Sequence, residues 1–267
     1  MKHIVSFSGG VGSWAAGKRV AERYGTSDLL VVFMDTNMED EDLYRFNKEA
    51  LANIGGESIR LADGRTPWQV FKDRRFLGNQ RVDLCSRILK RELYRAWLEK
   101  NFKPEDVTYI GFDWTEPHRS ADAVEYWRPY TVAFPMMDEP LMDKKKQLEW
   151  CRREGMEPPR LYEMGFAHNN CGGFCVKAGQ AAFALLYYRF PERYAFHEAK
   201  EEELRQFLQK DVAILRHRGG PKKGEPMTMK EFRETKIASG QYDRFDMGAC
   251  SCFAPPKNVE KEPEPCL

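Results

Sequence analysis

His3-Ile4-Val5-Ser6-Phe7-Ser8-Gly9-Gly10-Val11-Gly12-Ser13 is a short apolar run that breaks into a turn of small residues. From residue 14 to 24 the chain carries helical composition without proline, so the segment predicts a strand, a loop and a helix in immediate succession. A second apolar run over residues 29–34 ends in Asp35-Thr36-Asn37, and Leu43, Phe46, Ala50, Leu51 and Ile54 then recur at helical spacing. The unit repeats. Residues 58–61 predict a third strand, 85–100 a helix, and 107–112 another strand ending in Asp113 and a proline-containing loop. Strands alternating with helices imply an α/β fold, a mainly parallel twisted sheet with helices on both faces.

A turn of small residues between a buried strand and a helix lets backbone N–H groups approach phosphate oxygens, and the helix N-terminus adds its dipole. Ser8 and Ser13 can add hydroxyl donors. The Walker pattern is excluded, because Gly-Lys-[Ser/Thr] is absent and Lys18 comes five residues too late. By itself the turn is also compatible with a plain strand-to-helix connection.

Between residues 126 and 140 the alternation gives way to aromatics and prolines. Three parts are therefore expected: a nucleotide-binding α/β domain at 1–125, a helical, cysteine-containing extension at 126–255, and a disordered tail at 256–267 rich in Pro, Glu and Lys. Helices are expected at 142–154, 178–188 and 198–215, the last long and charged, with Leu204, Phe207, Leu208 and Val212 on one face. Residues 216–224 are basic and Gly-rich and predict a mobile loop.

The 267 residues suffice to bury a sizeable core, and 42 basic groups against 41 acidic ones give no global pull toward nucleic acid or membrane. A polyanion would need a local patch such as Arg216, His217, Arg218, Lys222 and Lys223, which serves equally as a solvated loop. No run approaches the ~20 apolar residues of a spanning helix. The N-terminal stretch lacks the apolar core of a signal peptide, so a cytoplasmic protein is expected.

The turn at residues 8–13 resembles the Ser-Gly-Gly-X-Asp-Ser signature of the PP-loop ATP pyrophosphatases, the adenine nucleotide alpha hydrolase superfamily. Gly12 stands where that family has Asp. The departure separates nucleotide binding, served by the glycines, from the magnesium or phosphate work of the missing carboxylate. Further segments are similar to the branch holding phosphoadenylylsulfate reductase and the DNA phosphorothioation sulfurtransferases. Asp35-Thr36-Asn37 resembles that branch's Asp-Thr-Gly segment, where adenine and ribose are met. Cys85-Ser86-Arg87-Ile88-Leu89-Lys90 resembles its Cys-Cys-X-X-X-Lys, with Leu84 in place of the first Cys. Gly111-Phe112-Asp113-Trp114-Thr115-Glu116-Pro117-His118-Arg119 resembles its Gly-X-X-X-X-Glu-X-X-Arg, and Leu161-Tyr162-Glu163-Met164-Gly165-Phe166 its Leu-Tyr-X-X-Gly-Phe ahead of a cysteine pair.

The resemblance implies a nucleotide site comprising Ser6, Ser8, Gly9, Gly10, Gly12, Ser13, Asp35 and Thr36, with Lys90 and Arg119 as catalytic cations on the phosphates. Arg would grip as a planar fork and Lys as a point charge. Their alternative is pairing with nearby carboxylates such as Glu92 and Glu116. Asp113 and Glu116 are candidate Mg2+ carboxylates. His118 and His168 lie beside site segments, where a polar contact is the commoner role of a histidine.

Seven cysteines, none before Cys85, do not form a disulfide framework in a reducing compartment. Cys171 and Cys175 flank three residues where the family has two, and Cys250 and Cys252 sit one residue apart, so that one of the latter pair is expected to ligate. Cys85, Cys171, Cys175 and either Cys250 or Cys252 would hold a [4Fe-4S] cluster on the family's pattern; zinc uses the same ligand count, and buried reduced thiols are the bland alternative. Cys151 is expected to be structural. The terminal Glu-Pro-Cys-Leu carries Cys266 without the reductases' Glu-Cys-Gly. The leading expectation is an enzyme that cleaves ATP between the α and β phosphates to adenylate an acceptor for sulfur transfer, the acceptor unidentified and nucleic acid one candidate. Thiol-dependent reduction of adenylylated sulfate, and a non-catalytic nucleotide-binding module, are the alternatives.

Overall fold

The computed structural model describes residues 1–248 and Phe253. Five parallel strands, β1 (His3–Phe7), β2 (Leu29–Asp35), β3 (Glu57–Ala62), β4 (Val107–Ile110) and β5 (Thr131–Ala133), form a sheet in the order β3-β2-β1-β4-β5. Helices α1 (Val11–Tyr24) and α2 (Glu41–Ile54) fill the first two crossovers. The third crossover holds α3 (Pro67–Asp73), α4 (Leu84–Ser86), a π-helical stretch (Arg87–Glu92) and α5 (Leu93–Asn101), and the fourth holds α6 (Pro117–Tyr126). Beyond the sheet come α7 (Lys144–Arg153), α8 (Arg160–Glu163), α9 (Gln180–Arg189) and α10 (Pro191–Leu208), then the short ribbon β6 (Leu215–Arg216) with β7 (Pro226–Met227), and α11 (Met229–Glu231).

Every residue of β1 and β2 is buried, which explains their unbroken apolar sequences: a central parallel strand covered on both faces has no solvent side to mark with polar residues. Adjacent residues serve opposite faces. Val5 and Phe7 meet Trp14 and Phe46 on one side, while Ile4 joins Val32, Tyr94 and Trp127 on the other. A third apolar cluster unites Trp68, Phe71, Leu84 and Leu89 with Leu161, Phe174, Phe183 and Tyr194. The helical extension is thus packed on the third crossover through this cluster and on α1 through Cys151 and Met156.

Three segments differ from expectation. The sheet continues past residue 125 through β5, whose Thr131, Val132 and Ala133 pair with Val107, Thr108 and Tyr109; three residues amid aromatics and prolines carry too short a period to announce a strand. The helix expected at 198–215 starts earlier, at Pro191, and stops at Leu208, where Gln209 takes a left-handed conformation. The buried Glu201 carboxylate then accepts the backbone N–H groups of Ile214 at 2.9 Å and Met229 at 2.6 Å. These two bonds tie the following chain to the helix, and residues 217–225 are the connection of the ribbon. The helix expected at 85–100 is interrupted by the π-helical stretch that carries Lys90, a geometry that recurs at functional positions.

Candidate active site

The strand order reverses at β1, with β2 and β3 to one side and β4 and β5 to the other. The flanking crossovers diverge there and leave a crevice at the carboxyl ends of the strands. The crevice is a cleft of about 440 Å³, lined by Ser6, Ser8, Gly10, Gly12 and Ser13 from the first loop, by Gly111, Asp113, Glu116 and Arg119 after β4, and by Lys144, Tyr162, His168, Asn169 and Asn170 from the extension. This size suits a small-molecule ligand.

The glycine turn is held from behind. Gly9 has φ +77°, and a Cβ there would meet the Leu43 side chain at 2.7 Å, so only glycine fits. Its carbonyl accepts from Asn169 Nδ2 at 2.9 Å. The Ser13 hydroxyl donates to the Gly10 carbonyl at 2.8 Å and accepts from the Ser8 N–H at 3.2 Å, and the Tyr162 hydroxyl accepts from the Val11 N–H at 3.3 Å. Side chains of Asp40, Thr66 and Asp143 cap α2, α3 and α7, whereas the N-cap of α1 is Gly10, which has no side chain to offer; the first turn of α1 holds no acid, and the Tyr162 hydroxyl takes the N–H of its first residue. The positive end of α1 therefore opens on the cleft.

Ser6 and Asn169 line the cleft, and the buried Ser6 Oγ and Asn169 Oδ1 have no hydrogen-bond partner among the described residues. Because Asn169 Nδ2 is engaged by Gly9, the amide orientation is set and its oxygen is left as an acceptor. Leaving such atoms unsatisfied costs about 1–3 kcal/mol each, a cost that a polar ligand or solvent removes.

The cations come from two sides. Arg119 pairs with Glu116 and lies 4.0 Å above the Phe112 ring, so the carboxylate pairing weighed from sequence is realised within the cleft itself. Lys144 Nζ donates to Gln147 Oε1 at 3.2 Å and stands 3.5 Å from the point a Cβ on residue 12 would occupy. Gly12 and Gly111 bring the two loops together: a Cβ on Gly111 would lie 2.7 Å from the Gly12 carbonyl oxygen. Asp113, whose Oδ1 accepts from the Thr115 N–H and hydroxyl, Glu116 and Asp143 are the carboxylates that line the cleft among the described residues.

Ser6, Ser8, Gly10, Gly12, Ser13 and Arg119 thus share the cleft, while Gly9 supports the turn. Asp35, Thr36 and Lys90 lie elsewhere. Asp35 is buried under the Asn37 N–H, the Tyr44 hydroxyl and the Arg60 guanidinium, at 2.8, 2.9 and 2.7 Å. Thr36 and Lys90 line a second, smaller cavity with Cys85, Cys171 and Cys175. The carboxylate facing Lys90 is Glu39, at 3.5 Å, while Glu92 faces Arg87 at 3.3 Å.

In that second cavity Cys171, Gly172 and Gly173 form a left-handed turn with φ of 54°, 59° and 82°, an arrangement that two successive glycines make accessible. Glu39 fixes the turn by accepting the Cys171 N–H, and it also accepts the Thr36 hydroxyl at 3.0 Å. From the far side Arg193 donates to the Gly172 carbonyl at 2.6 Å and to Asp40 at 2.9 Å. Burial pushes the Cys171 thiol well up, reinforced by the charge of Glu39 and by the nearby Cys175 and Cys85, against the opposing charge of Lys90. The three sulfurs line one cavity, but among the described residues no three His, Cys, Asp or Glu groups stand close enough to hold a metal ion. Cys250, Cys252 and Cys266 lie outside the described residues. Cys151 packs in the core beside the sheet, its thiol raised by burial to about 11, a structural position. His168 and Asn170 line both cavities, forming the wall between them, and His118 lines neither among the described residues.

Sequence reasoning missed Lys144, Asn169 and the site roles of Tyr162 and Gly111. Lys144 opens a run of three lysines that reads as a solvated face. Asn169 offers no periodic signal, though its place between the Gly-Phe stretch and Cys171 marks it in retrospect. In the basic segment, His217 and Lys222 face Glu231 at 3.2 and 3.8 Å and Arg218 pairs with Asp246, so part of that charge is matched internally.

No family model matches the chain. Over 209 residues, 78% of its length, it is 24% identical to an uncharacterized protein of Methanocaldococcus jannaschii, and it spans 42% of that protein's length. Among the described residues no helix is long and apolar enough to cross a membrane.

Proposed function

We propose that this chain is a PP-loop-type enzyme that binds ATP in the cleft between β1 and β4 and cleaves it between the α and β phosphates, adenylating an acceptor. The observation that supports this reading is the positive end of α1, with no acid in its first turn, opening through a turn of small residues onto a cleft lined also by Ser6, Arg119 and Asn169. An oxygen of the acceptor attacks the α phosphorus, the bond to the bridging α–β oxygen breaks, and pyrophosphate leaves with the electron pair. Backbone N–H groups of the turn and the guanidinium of Arg119 stabilise the charge that builds on the phosphate oxygens. Asp113 and Glu116 would hold Mg2+, which neutralises part of the phosphate charge. The adenylated acceptor carries AMP as a leaving group for a later attack by sulfur.

The neighbouring cavity brings Cys85, Cys171 and Cys175 to one lining with Lys90, but the described residues do not gather three ligands closely enough for a metal ion, so no step of this reading runs through a cluster or zinc, and a ligand set would have to be completed from outside the described residues. The deciding measurement follows α- and γ-labelled ATP with the purified protein and candidate acceptors. AMP and pyrophosphate are expected, and Gly10→Val, which places a side chain against the Tyr162 hydroxyl that a Cβ meets at 3.0 Å, is expected to lose ATP binding while remaining folded. ADP and phosphate as products, or undiminished ATP affinity in folded Gly10→Val, would overturn the proposal.

A further inference from the structure

We infer that Asn169 is a positioning residue: through the Gly9 carbonyl it sets the orientation of the peptide unit joining Gly9 to Gly10, and with it an N–H that the glycine turn offers to phosphate; this rests on the ATP reading of the cleft. A peptide unit is rigid and this one is trans, so its carbonyl oxygen and the N–H of the next residue point in opposite directions and turn together. Asn169 Nδ2 donates to the Gly9 carbonyl at 2.9 Å from a buried side chain. Among the described residues this is the one hydrogen bond that the unit makes. Elsewhere the turn has other ties. The Ser13 hydroxyl accepts the Ser8 N–H at 3.2 Å, the Gly10 carbonyl accepts the Ser13 hydroxyl at 2.8 Å and the Trp14 N–H at 3.1 Å, and the Val11 N–H reaches the Tyr162 hydroxyl at 3.3 Å.

Gly9 and Gly10 have no Cβ, so rotation of the unit between them meets little steric resistance. An anion is drawn to the N–H end of a peptide dipole and repelled by its carbonyl end, and the orientation of the unit therefore decides how the turn meets phosphate. Gly10, which carries this N–H, lines the cleft. The clamp is itself held. Two residues beyond Asn169, Glu39 accepts the Cys171 N–H, and Arg193 donates both to the Gly172 carbonyl at 2.6 Å and to Asp40, the cap of α2. Leu43 of that helix stands against Gly9 from behind. Both contacts on Gly9 thus trace to one support at residues 39–43, which sets the turn before a ligand arrives, and donors fixed in advance need no reorganisation as charge develops on the phosphates.

The experiment measures ATP and pyrophosphate by calorimetry, and adenosine by displacement of a fluorescent ATP analogue, on full-length wild type, Asn169→Leu, Asn169→Ala and Asn169→Gln. Asn169→Leu is close to asparagine in size and lacks the donor. It is expected to weaken ATP and pyrophosphate at least about 10-fold, the lower range for a hydrogen bond to a charged group, and to leave adenosine, which brings no phosphate to the turn, within about 2-fold. A purely structural role would move all three together. Equal weakening of the three, or undiminished ATP affinity in folded Asn169→Leu, would overturn the inference while leaving the ATP site standing. Should adenosine not displace the analogue from wild type, Asn169→Gln decides: its amide donor is expected to return ATP affinity to within about 3-fold of wild type, and a lesser recovery would overturn the inference. A wild type that binds no nucleotide would overturn the ATP reading and this inference with it. Thermal melting monitors folding, and should Asn169→Leu fail to fold, Asn169→Ala decides in its place.

Discussion

Gly12 and Gly111 face each other across the mouth of the cleft, yet alanine at the two positions is expected to act in opposite directions. At Gly111 the new methyl would lie 2.7 Å from the Gly12 carbonyl oxygen and 2.9 Å from both the Gly12 carbonyl carbon and the Ser13 Cα. All three are backbone atoms of a turn tied down by Ser13, Asn169 and Tyr162, so no side chain can rotate aside and the loops must part by roughly half an ångström. Overpacking of this kind costs about 1–3 kcal/mol. At Gly12 the nearest atoms are at 3.4 and 3.5 Å, and two of them are the flexible ends of Gln147 and Lys144. Gly12 is helical, the second residue of α1, where alanine gains up to about 1 kcal/mol in backbone entropy. For a chain of this size 1 kcal/mol corresponds to about 2 °C in melting temperature. Calorimetric melting should therefore find Gly111→Ala lower by about 2–6 °C and Gly12→Ala level with wild type or up to about 2 °C higher. A Gly111→Ala protein that melts with the wild type would refute the close approach of the two loops.

Three other perturbations bear on the support around the site. Asp40 caps α2 and receives Arg160 and Arg193 while fully buried; burial alone would raise its carboxyl, but the two arginines hold it below the usual range. Asp40→Ala should cost about 3–5 kcal/mol in urea unfolding, and in the wild type this contribution is present above pH 4 and lost below it; a loss under about 1 kcal/mol would show the network to be dispensable. Burial, with the charge of Arg193 beside it, holds His197 down at about 3, while burial raises Glu201 to about 7. The first contribution to stability is lost as pH falls from 6.5 toward 3, the second as pH rises from 4.5 to 7, so the two oppose each other between pH 4.5 and 6.5. Over that interval the advantage of wild type over His197→Phe should grow by about 1.4 kcal/mol per pH unit; a constant difference would mean that His197 is not kept neutral. Under anaerobic purification, Cys171→Ser and Cys175→Ser should each lower the bound iron or zinc, and metal content equal to that of the wild type would remove those residues from the ligand set.

The central strands and α1 were legible because a doubly covered strand leaves an unbroken apolar run and a tight strand-to-helix turn leaves small residues where the chain must curve. Thus β1, β2 and the glycine turn fell where expected, and Ser6, Ser8 and Ser13 reached one cleft with Arg119. What escaped was long-range. The assignment of Lys90 to the phosphates came from its place in a motif, but the π-helical stretch turns it toward Glu39 and the cysteines. Lys144 takes a place beside the glycine turn from a helix more than a hundred residues downstream, and no local period records that. The early end of α10 depended likewise on Glu201 capturing two backbone N–H groups beyond the helix.

The third apolar cluster also sets an order of events during synthesis. Trp68, Phe71, Leu84 and Leu89 leave the ribosome well before the Leu161, Phe174, Phe183 and Tyr194 that cover them. At bacterial or eukaryotic elongation rates that interval is roughly 5–20 s, far longer than hydrophobic collapse requires. During it β1, β2 and β3 can pair, but the crossover that leads to β4 carries an uncovered apolar surface, so the nascent chain is most exposed to misassociation just before its cysteine-bearing half emerges.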